Sequence, residues 1–436
     1  MEIKAFKAYR FNPQVVGNAG DCIAPPYDVI DAGLQEKLYR KNEYNIVRIT
    51  RGKTDKADNE KNNQYTRAAK YLKDWLDKGV LKQDSKEAIY AYVQEFRLGG
   101  KTFKRGTFIA LGKLEEFGGT VKAHENTLSG PKADRLNLQR ATAAQFGLIF
   151  MLYEDRQKVA DKVIEKVSAG KSIIEFTDEE QVKHKLFAIT EKSDTDNICQ
   201  MMAEKSCVIA DGHHRYATSL NYYNETKNPK AAYQIMAFAN ILNEGMIILA
   251  THRLVYGLKD FSTKKLLDGL KVNFDITEYK FDSDKAKQQA KKQMLEQMKR
   301  ASKDNKNAYG IYTGDGAFRA AVLKDSSIMD KALPDKSKAY RRLDVIVLHK
   351  LILEEQLKIG EKELAAKTNL EYVKDTPNAV DDTIGRVDAG RIQAAFFTNP
   401  EKMKMIQQVA DVGERMPQKS TFFFPKVFSG LTIYKT

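Results

Sequence analysis

A chain of 436 residues, 42% hydrophobic and 10% aromatic, is long enough to bury a large core in two domains or one elaborated domain, which excludes a disordered protein. No run of about 18 uninterrupted apolar residues occurs, so no membrane span is expected. Three cysteines, Cys22, Cys199 and Cys207, lack metal-like spacing; that disfavours a disulfide scaffold or a thiolate zinc site and fits a reducing cytoplasm.

The N-terminus, Met1 to Phe6, reads as a strand without the regions of a signal peptide. Ala24-Pro25-Pro26-Tyr27-Asp28 reads as a rigid loop, because two prolines fix φ and restrict the residue before them; such a loop can hold the Asp28 carboxylate at a set distance from a substrate. Helical periodicity covers Asn62 to Lys78 and stops at Gly79. Ala88–Val93 and Thr107–Leu111 alternate as strands around Gly99-Gly100, which predicts a hairpin over Glu87 to Glu116. His124-Glu125-Asn126-Thr127 then precedes a helix expected to start at Pro131. Lys132 and Arg135 fall in that helix's first turns, where they oppose the dipole unless an anion offsets them.

A further helix is expected over Asp155 to Ala169. Cys207–Ala210 is a short buried strand, and Met246–Ala250 is an apolar one with Thr251-His252-Arg253 at its end, where polar groups can line a cleft. A domain boundary is expected near 255–262, dividing the chain into 1–255 and 256–436. Beyond it come helices over Asp282 to Lys303 and Leu343 to Lys358, and a second hairpin over Ala308 to Lys324 that turns at Gly314-Asp315-Gly316. Gln418-Lys419-Ser420-Thr421 leads into the aromatic strand Phe422–Phe424 and can close a site from the second domain. Hairpins mixed with helices predict an α+β (mixed α/β) fold and not a run of βαβ units. The net charge of +14 comes mostly from lysines scattered along helices, a solvated surface and not the footprint of a nucleic-acid binder.

The densest chemistry lies at Ala210-Asp211-Gly212-His213-His214-Arg215. A buried strand, then Asp211 as helix N-cap, then Gly212 with no Cβ, aims the free amides of a helix start at a ligand, and the helix dipole favours an anion there. Arg215 adds a bidentate grip. Two of the chain's six histidines stand in this one turn, where they suit acid/base work near neutral pH. A metal site is disfavoured, since adjacent histidines on a helix diverge.

Asp211-Gly212-His213-His214-Arg215 after a strand resembles the signature of the ParB/sulfiredoxin superfamily, and especially of archaeal ADP-dependent free serine kinases. The wider chain resembles a bacterial and archaeal family known as domain of unknown function one-thousand-fifteen. The likeness runs through Ala24–Val29, His124–Thr127, Pro131–Arg135, Thr251–Arg253 and Met416–Thr421, nearly the whole length. It implies a ParB/sulfiredoxin-like core elaborated with hairpins, a C-terminal α+β region, and phosphates held by Gly212 to Arg215. Sulfiredoxin chemistry is disfavoured because His213 stands at the cysteine position. ParB-type partition is disfavoured because no helix-turn-helix module with a basic recognition helix follows.

These observations predict a cytoplasmic phosphoryl-transfer enzyme for free O-phosphoserine or a similar small phosphoester. Hydrolysis is the preferred reaction, because no Walker-type or kinase glycine loop occurs. A serine kinase using ADP or ATP and a ParB-like nucleotide-binding regulator associated with DNA are the alternatives. His213 and His214 are the candidate acid or nucleophile, and Asp28 or Glu125 the group that activates water or a serine hydroxyl, with Asp211 beside them. Gly212, Arg215, His124, Lys132, Arg135, His252, Arg253, Lys419 and Ser420 are the candidate substrate and phosphate holders. Mg²⁺ is the candidate ion; no protein metal site, membrane contact or DNA partner is expected.

Overall fold

Gly99 and Gly100 have φ of 56° and 79°, the left-handed values that a two-residue hairpin turn demands. The strands they join, Ile89–Leu98 and Lys101–Lys113, pair antiparallel from Tyr90↔Ile109 to Leu98↔Lys101. This hairpin is the spine of the first of two compact units, Met1–Ile247 with Phe423–Thr436; the second is Ile248–Phe422. The expected boundary at 255/256 lies at the end of the strand Thr251–Val255. The computed structural model describes residues 1–125, 129–360, 363, 368–417 and 419–436, and the fold is mixed α+β.

The first unit is built on a nine-stranded sheet. In chain order its strands are β1 (Ile3–Lys4), β2 (Ile89–Leu98), β3 (Lys101–Lys113), β4 (Val121–Ala123), β5 (Ile149–Tyr153), β6 (Ile174–Thr177), β7 (Lys183–Ile189), β8 (Cys207–Asp211) and β9 (Tyr233–Asn240). In space they run β4-β8-β5-β9-β3-β2-β7-β6, with β1 against β3. Most pairs are antiparallel, but β8 runs parallel to β4 and β9 parallel to β5.

Among the helices of the first unit are α1 (Gln64–Asp77), α2 (Ser129–Thr142), α3 (Val159–Ser168), α4 (Lys192–Ala203) and α5 (His213–Thr226). A capping box closes the start of α1: Asn63 accepts from the Thr66 amide while the Thr66 hydroxyl accepts from the Asn63 amide. α2 begins two residues ahead of Pro131, since proline is tolerated throughout a first turn, where no amide has an intrahelical partner. α3 begins later than its periodicity suggests. Asp155 takes the amides of Gln157 and Val159 at 3.2 and 2.8 Å, and that local turn displaces the first helical one. Apolar residues of α3, α4 and α5, among them Ile164, Met202 and Tyr216, share one core with Ile89, Phe108, Met151, Ile209 and Phe238 of the sheet.

The second unit carries a six-stranded sheet of β10 (Thr251–Val255), β11 (Phe274–Lys280), β12 (Ala308–Tyr312), β13 (Ala317–Leu323), β14 (Leu370–Lys374) and β15 (Ala394–Thr398), ordered β11-β13-β12-β15-β10-β14. Thr251-His252-Arg253 is therefore not the end of a strand. It opens β10, an interior strand buried along its whole length, because a tight break at Ala250 ends Ile247–Leu249 and starts a new element. The helix α6 (Asp284–Lys303) lays Ala290, Met294 and Met298 on this sheet. The helix expected over Leu343 to Lys358 is α-helical at Asp344–Val347, widens to a π-turn at Leu348–Glu354, and closes at Glu355–Leu357. Among the described residues no helix is long and apolar enough to cross a membrane.

Candidate functional site

The ladder between β8 and β5 pairs Val208↔Leu152 and Ile209↔Met151, then jumps to Asp211↔Phe150. Ala210 is the extra residue of a β-bulge, which re-aims the end of a strand. Gly212 follows with φ 96° and ψ 25° and is itself the N-cap of α5, without a side-chain cap bond. The expectation of Asp211 as N-cap is thus corrected: Asp211 closes the strand, and its carboxylate is recruited by cations instead. Arg215 Nη2 lies 3.0 Å from Oδ2, and Lys426 Nζ lies 3.4 Å from Oδ1.

Burial opposes the charge of Asp211, yet Lys426, Arg215 and His213 outweigh it and hold the carboxyl well below its usual range. A Cβ on Gly212 would stand 3.1 Å from Cζ, Nε and Nη2 of Arg215. Glycine is therefore required twice over, by its left-handed φ and by the guanidinium pressed against it. Arg215 also donates to the carbonyl of Leu148.

Lys426 is the member of the site that motif reasoning missed, since it stands 215 positions from Asp211. A buried pair holds its segment in place. Arg105 donates to the carbonyls of Phe424 and Pro425 and to Gln94 Oε1, and Gln94 Nε2 donates to the carbonyl of Lys426 at 2.9 Å. Arg105 is fully buried over the Phe150 ring, and burial lowers its pKa to about 10. Behind Gln94, His184 meets Tyr92 Oη at 2.5 Å and Asp178 at 2.9 Å. His184, which its lysine-rich segment gives no reason to notice, is a buried strut of this support.

The histidines of the site differ in character. His124 is wholly buried; its Nδ1 meets the carbonyl of Ile209 at 2.6 Å, and burial lowers its pKa to about 4. A neutral ring brings no positive charge to a phosphate. His213, 6% exposed, packs edge-on against His124 with ring centroids 4.8 Å apart. Its Nε2 accepts from the His124 amide at 3.4 Å. His214 is partly exposed and is the histidine better placed to reach a ligand. Glu125 Oε1 lies 3.9 Å from His124 Nε2.

Other predicted residues have contacts of their own. Asp28 is exposed in the short turn Tyr27–Val29. Lys132 offers its carbonyl to Thr218 Oγ1 at 3.3 Å. Arg135 binds Asp134 and the carbonyl of Thr50 and lies over the Tyr27 ring at 4.1 Å. His252, Arg253, Lys419 and Ser420 belong to the second unit. There Arg253 Nη2 donates to the carbonyl of Lys419 at 3.3 Å, Ser420 Oγ donates to that of Pro417 at 2.6 Å, and His252 lies 3.4 Å from Asp375. Asn126, Thr127 and Gln418 lie outside the described residues. Among the described residues no group of three His, Cys, Asp or Glu side chains is placed to hold a metal ion.

No curated protein matches the chain. Among solved structures, a free serine kinase variant in complex with AMP is 11% identical, with a TM-score of 0.34 over 70% of this chain and 84% of its own. A conserved hypothetical protein from Pyrococcus furiosus is 13% identical, with a TM-score of 0.32 over 73% and 91%. SbnI from Staphylococcus aureus, truncated at its C-terminus, is 9% identical, with a TM-score of 0.34 over 73% and 84%. A family model matches residues 3–346, and the chain belongs to that family, described as protein of unknown function (DUF1015).

Proposed function

We propose that this chain transfers a phosphoryl group between a nucleotide and the hydroxyl of free serine or a similar small molecule, with Gly212 to Arg215 as the phosphate holder. The observation that carries this reading is the turn itself: a left-handed, side-chain-free Gly212 opens the first turn of α5 beside Arg215 and Lys426. Free amides at a helix start, backed by two cations, stabilise charge on a transferring phosphoryl group. Transfer to a hydroxyl is preferred here to the hydrolysis that the missing nucleotide loops suggest. The motif resembles that of free serine kinases.

In this reading His214 holds or delivers the proton, and Glu125 takes the proton of the attacking hydroxyl. Lys426 keeps Asp211 ionised so that Arg215 stays oriented. The nucleotide supplies the phosphoryl group, and Mg²⁺ is the ion expected to accompany its phosphates.

Incubating the purified chain with L-serine and ADP or ATP, and separately with O-phosphoserine alone, tests the proposal. Nucleotide-dependent formation of phosphoserine is expected, and His214→Gln lowers kcat about 10²-fold or more with the melting temperature unchanged. Phosphate release from phosphoserine without nucleotide turns the reading to hydrolysis, and no turnover of either kind overturns it.

A further inference from the structure

A groove on the first unit is lined by Lys4, Lys7, Lys230, Tyr233, Tyr434 and Lys435 among others. It opens on the sheet face opposite α5. Ile3 and Met236 belong to the core that α3, α4 and α5 cover, and strand alternation turns Lys4 and Tyr233, an odd number of positions away, to the other side. Lys4 Nζ accordingly lies 4.1 Å from the Tyr233 ring centroid. Both tyrosine rings are partly exposed, and both are held in place. Tyr434 Oη donates to the carbonyl of Lys230 at 3.3 Å, with its ring edge-on to Phe6, and Tyr233 Oη donates to Glu2.

Scattered along the chain, these lysines read as solvated surface; the fold gathers them around two rings. Lys4 shares Glu2 with Lys113. Among the described residues Lys7, Lys230 and Lys435 have no carboxylate partner, and Glu87 is the one acid in the lining. The groove therefore keeps a surplus of positive charge beside fixed aromatic faces. An acidic peptide would use the charge and leave the rings idle, whereas a single strand uses both, its bases stacking while cations track its phosphates. Lysine is a point charge that meets phosphate without reading a base. We propose that this groove binds single-stranded nucleic acid without sequence preference, its bases against the tyrosine rings and its phosphates on Lys7, Lys230 and Lys435. The assignment is independent of the phosphoryl transfer proposed above.

Fluorescence anisotropy of a labelled oligothymidylate of about twelve nucleotides, titrated with the full chain from about 20 to 200 mM salt, tests this. Three phosphate contacts give a log–log slope of affinity on salt of about −2. Lys7→Ala, Lys230→Ala and Lys435→Ala together are expected to weaken binding at least about 10-fold at low salt and to flatten the slope. An equal loss of charge on the exposed face of α6, by Lys285→Ala, Lys292→Ala and Lys299→Ala, leaves binding unchanged. Tyr434→Leu, or Tyr233→Leu where the first lowers the melting temperature, weakens binding about 5-fold or more with the slope kept. Absence of binding at low salt, an equal effect from the α6 lysines, or full affinity without the tyrosine overturns the assignment. Displacement by polyglutamate or thymidine monophosphate as effective as by unlabelled strand also overturns it, and makes the occupant an acidic peptide or a free nucleotide.

Discussion

Among the described residues, Glu401 and Asp344 are the second unit's most perturbed acids. Glu401 is 8% exposed and accepts from the Val345 amide at 2.9 Å, while Asp344 accepts from Asn307 Nδ2 at 2.6 Å. Burial raises both carboxyls far above their usual range, and the charge of Asp344 raises Glu401 further. A raised carboxyl binds its proton more tightly in the folded state than in the unfolded one. Its contribution is complete at low pH and is lost as pH rises through the folded value. His349, pushed down to about 3 by burial and by Arg253, acts oppositely: its contribution is complete above the ordinary histidine value near 6.5 and is lost as pH falls. Urea unfolding between about pH 7.5 and 8.5, where His349 is essentially neutral in both states, therefore isolates the acid pair. Stability is expected to fall across that window, and Glu401→Gln to flatten the fall. Trp75, the single tryptophan, lies in the first unit, so its fluorescence should not report the change while circular dichroism does. A flat wild-type profile would contradict the assignment.

At the scale of elements, turns and caps were legible because their causes are local. Gly99-Gly100, Gly314 and Gly316 turn where glycine is needed, and the periodic run Asn62 to Lys78 forms α1, although Asn63, inside that run, is its cap. The bulge at Ala210, the π-turn at Leu348–Glu354 and the fate of Asp211 were not legible. Each is fixed by partners distant in sequence: β5 across the sheet, the packing of the second unit's core, and Lys426 near the other end of the chain. Asp211 has the side chain of an N-cap, but two cations outcompete a backbone amide for a carboxylate. Gly212 carries both kinds of cause, a local φ and a distant chemistry. Gly212→Ala is expected to cost about 1–2 kcal/mol from the left-handed backbone alone, read from the Trp75 unfolding curve. It should also weaken phosphate-ligand binding, since the new Cβ presses on the Arg215 guanidinium. Unchanged stability would mean that the turn relaxes to another conformation.

At the scale of the whole molecule, the second unit is an insertion: the chain leaves the first unit at Ile247 and returns at Phe423. The returning segment contributes buried Phe423, Phe424, Phe428, Leu431 and Ile433 and brings the carbonyls that satisfy Arg105. Stopping the chain after Phe422 would strand that guanidinium in the core, a loss of about 3–5 kcal/mol before any apolar area is counted. Expression of residues 1–422 is expected to give a first unit without a cooperative Trp75 transition, while the acid-pair transition of the second unit persists. A cooperative Trp75 transition in that shortened chain would show that Arg105 finds other partners.

The insertion also sets an order on biosynthesis. Domains generally fold as units while the polypeptide is still emerging, but here the fold that begins first cannot finish first. For as long as the ribosome is making residues 248–422, Asp211 waits without Lys426 and the pocket of Arg105 stands unfilled. The turn at Gly212 acquires the Lys426 charge beside Asp211 only once translation has passed residue 426. A nascent chain interrupted anywhere earlier is born without the lysine, and so without the completed turn.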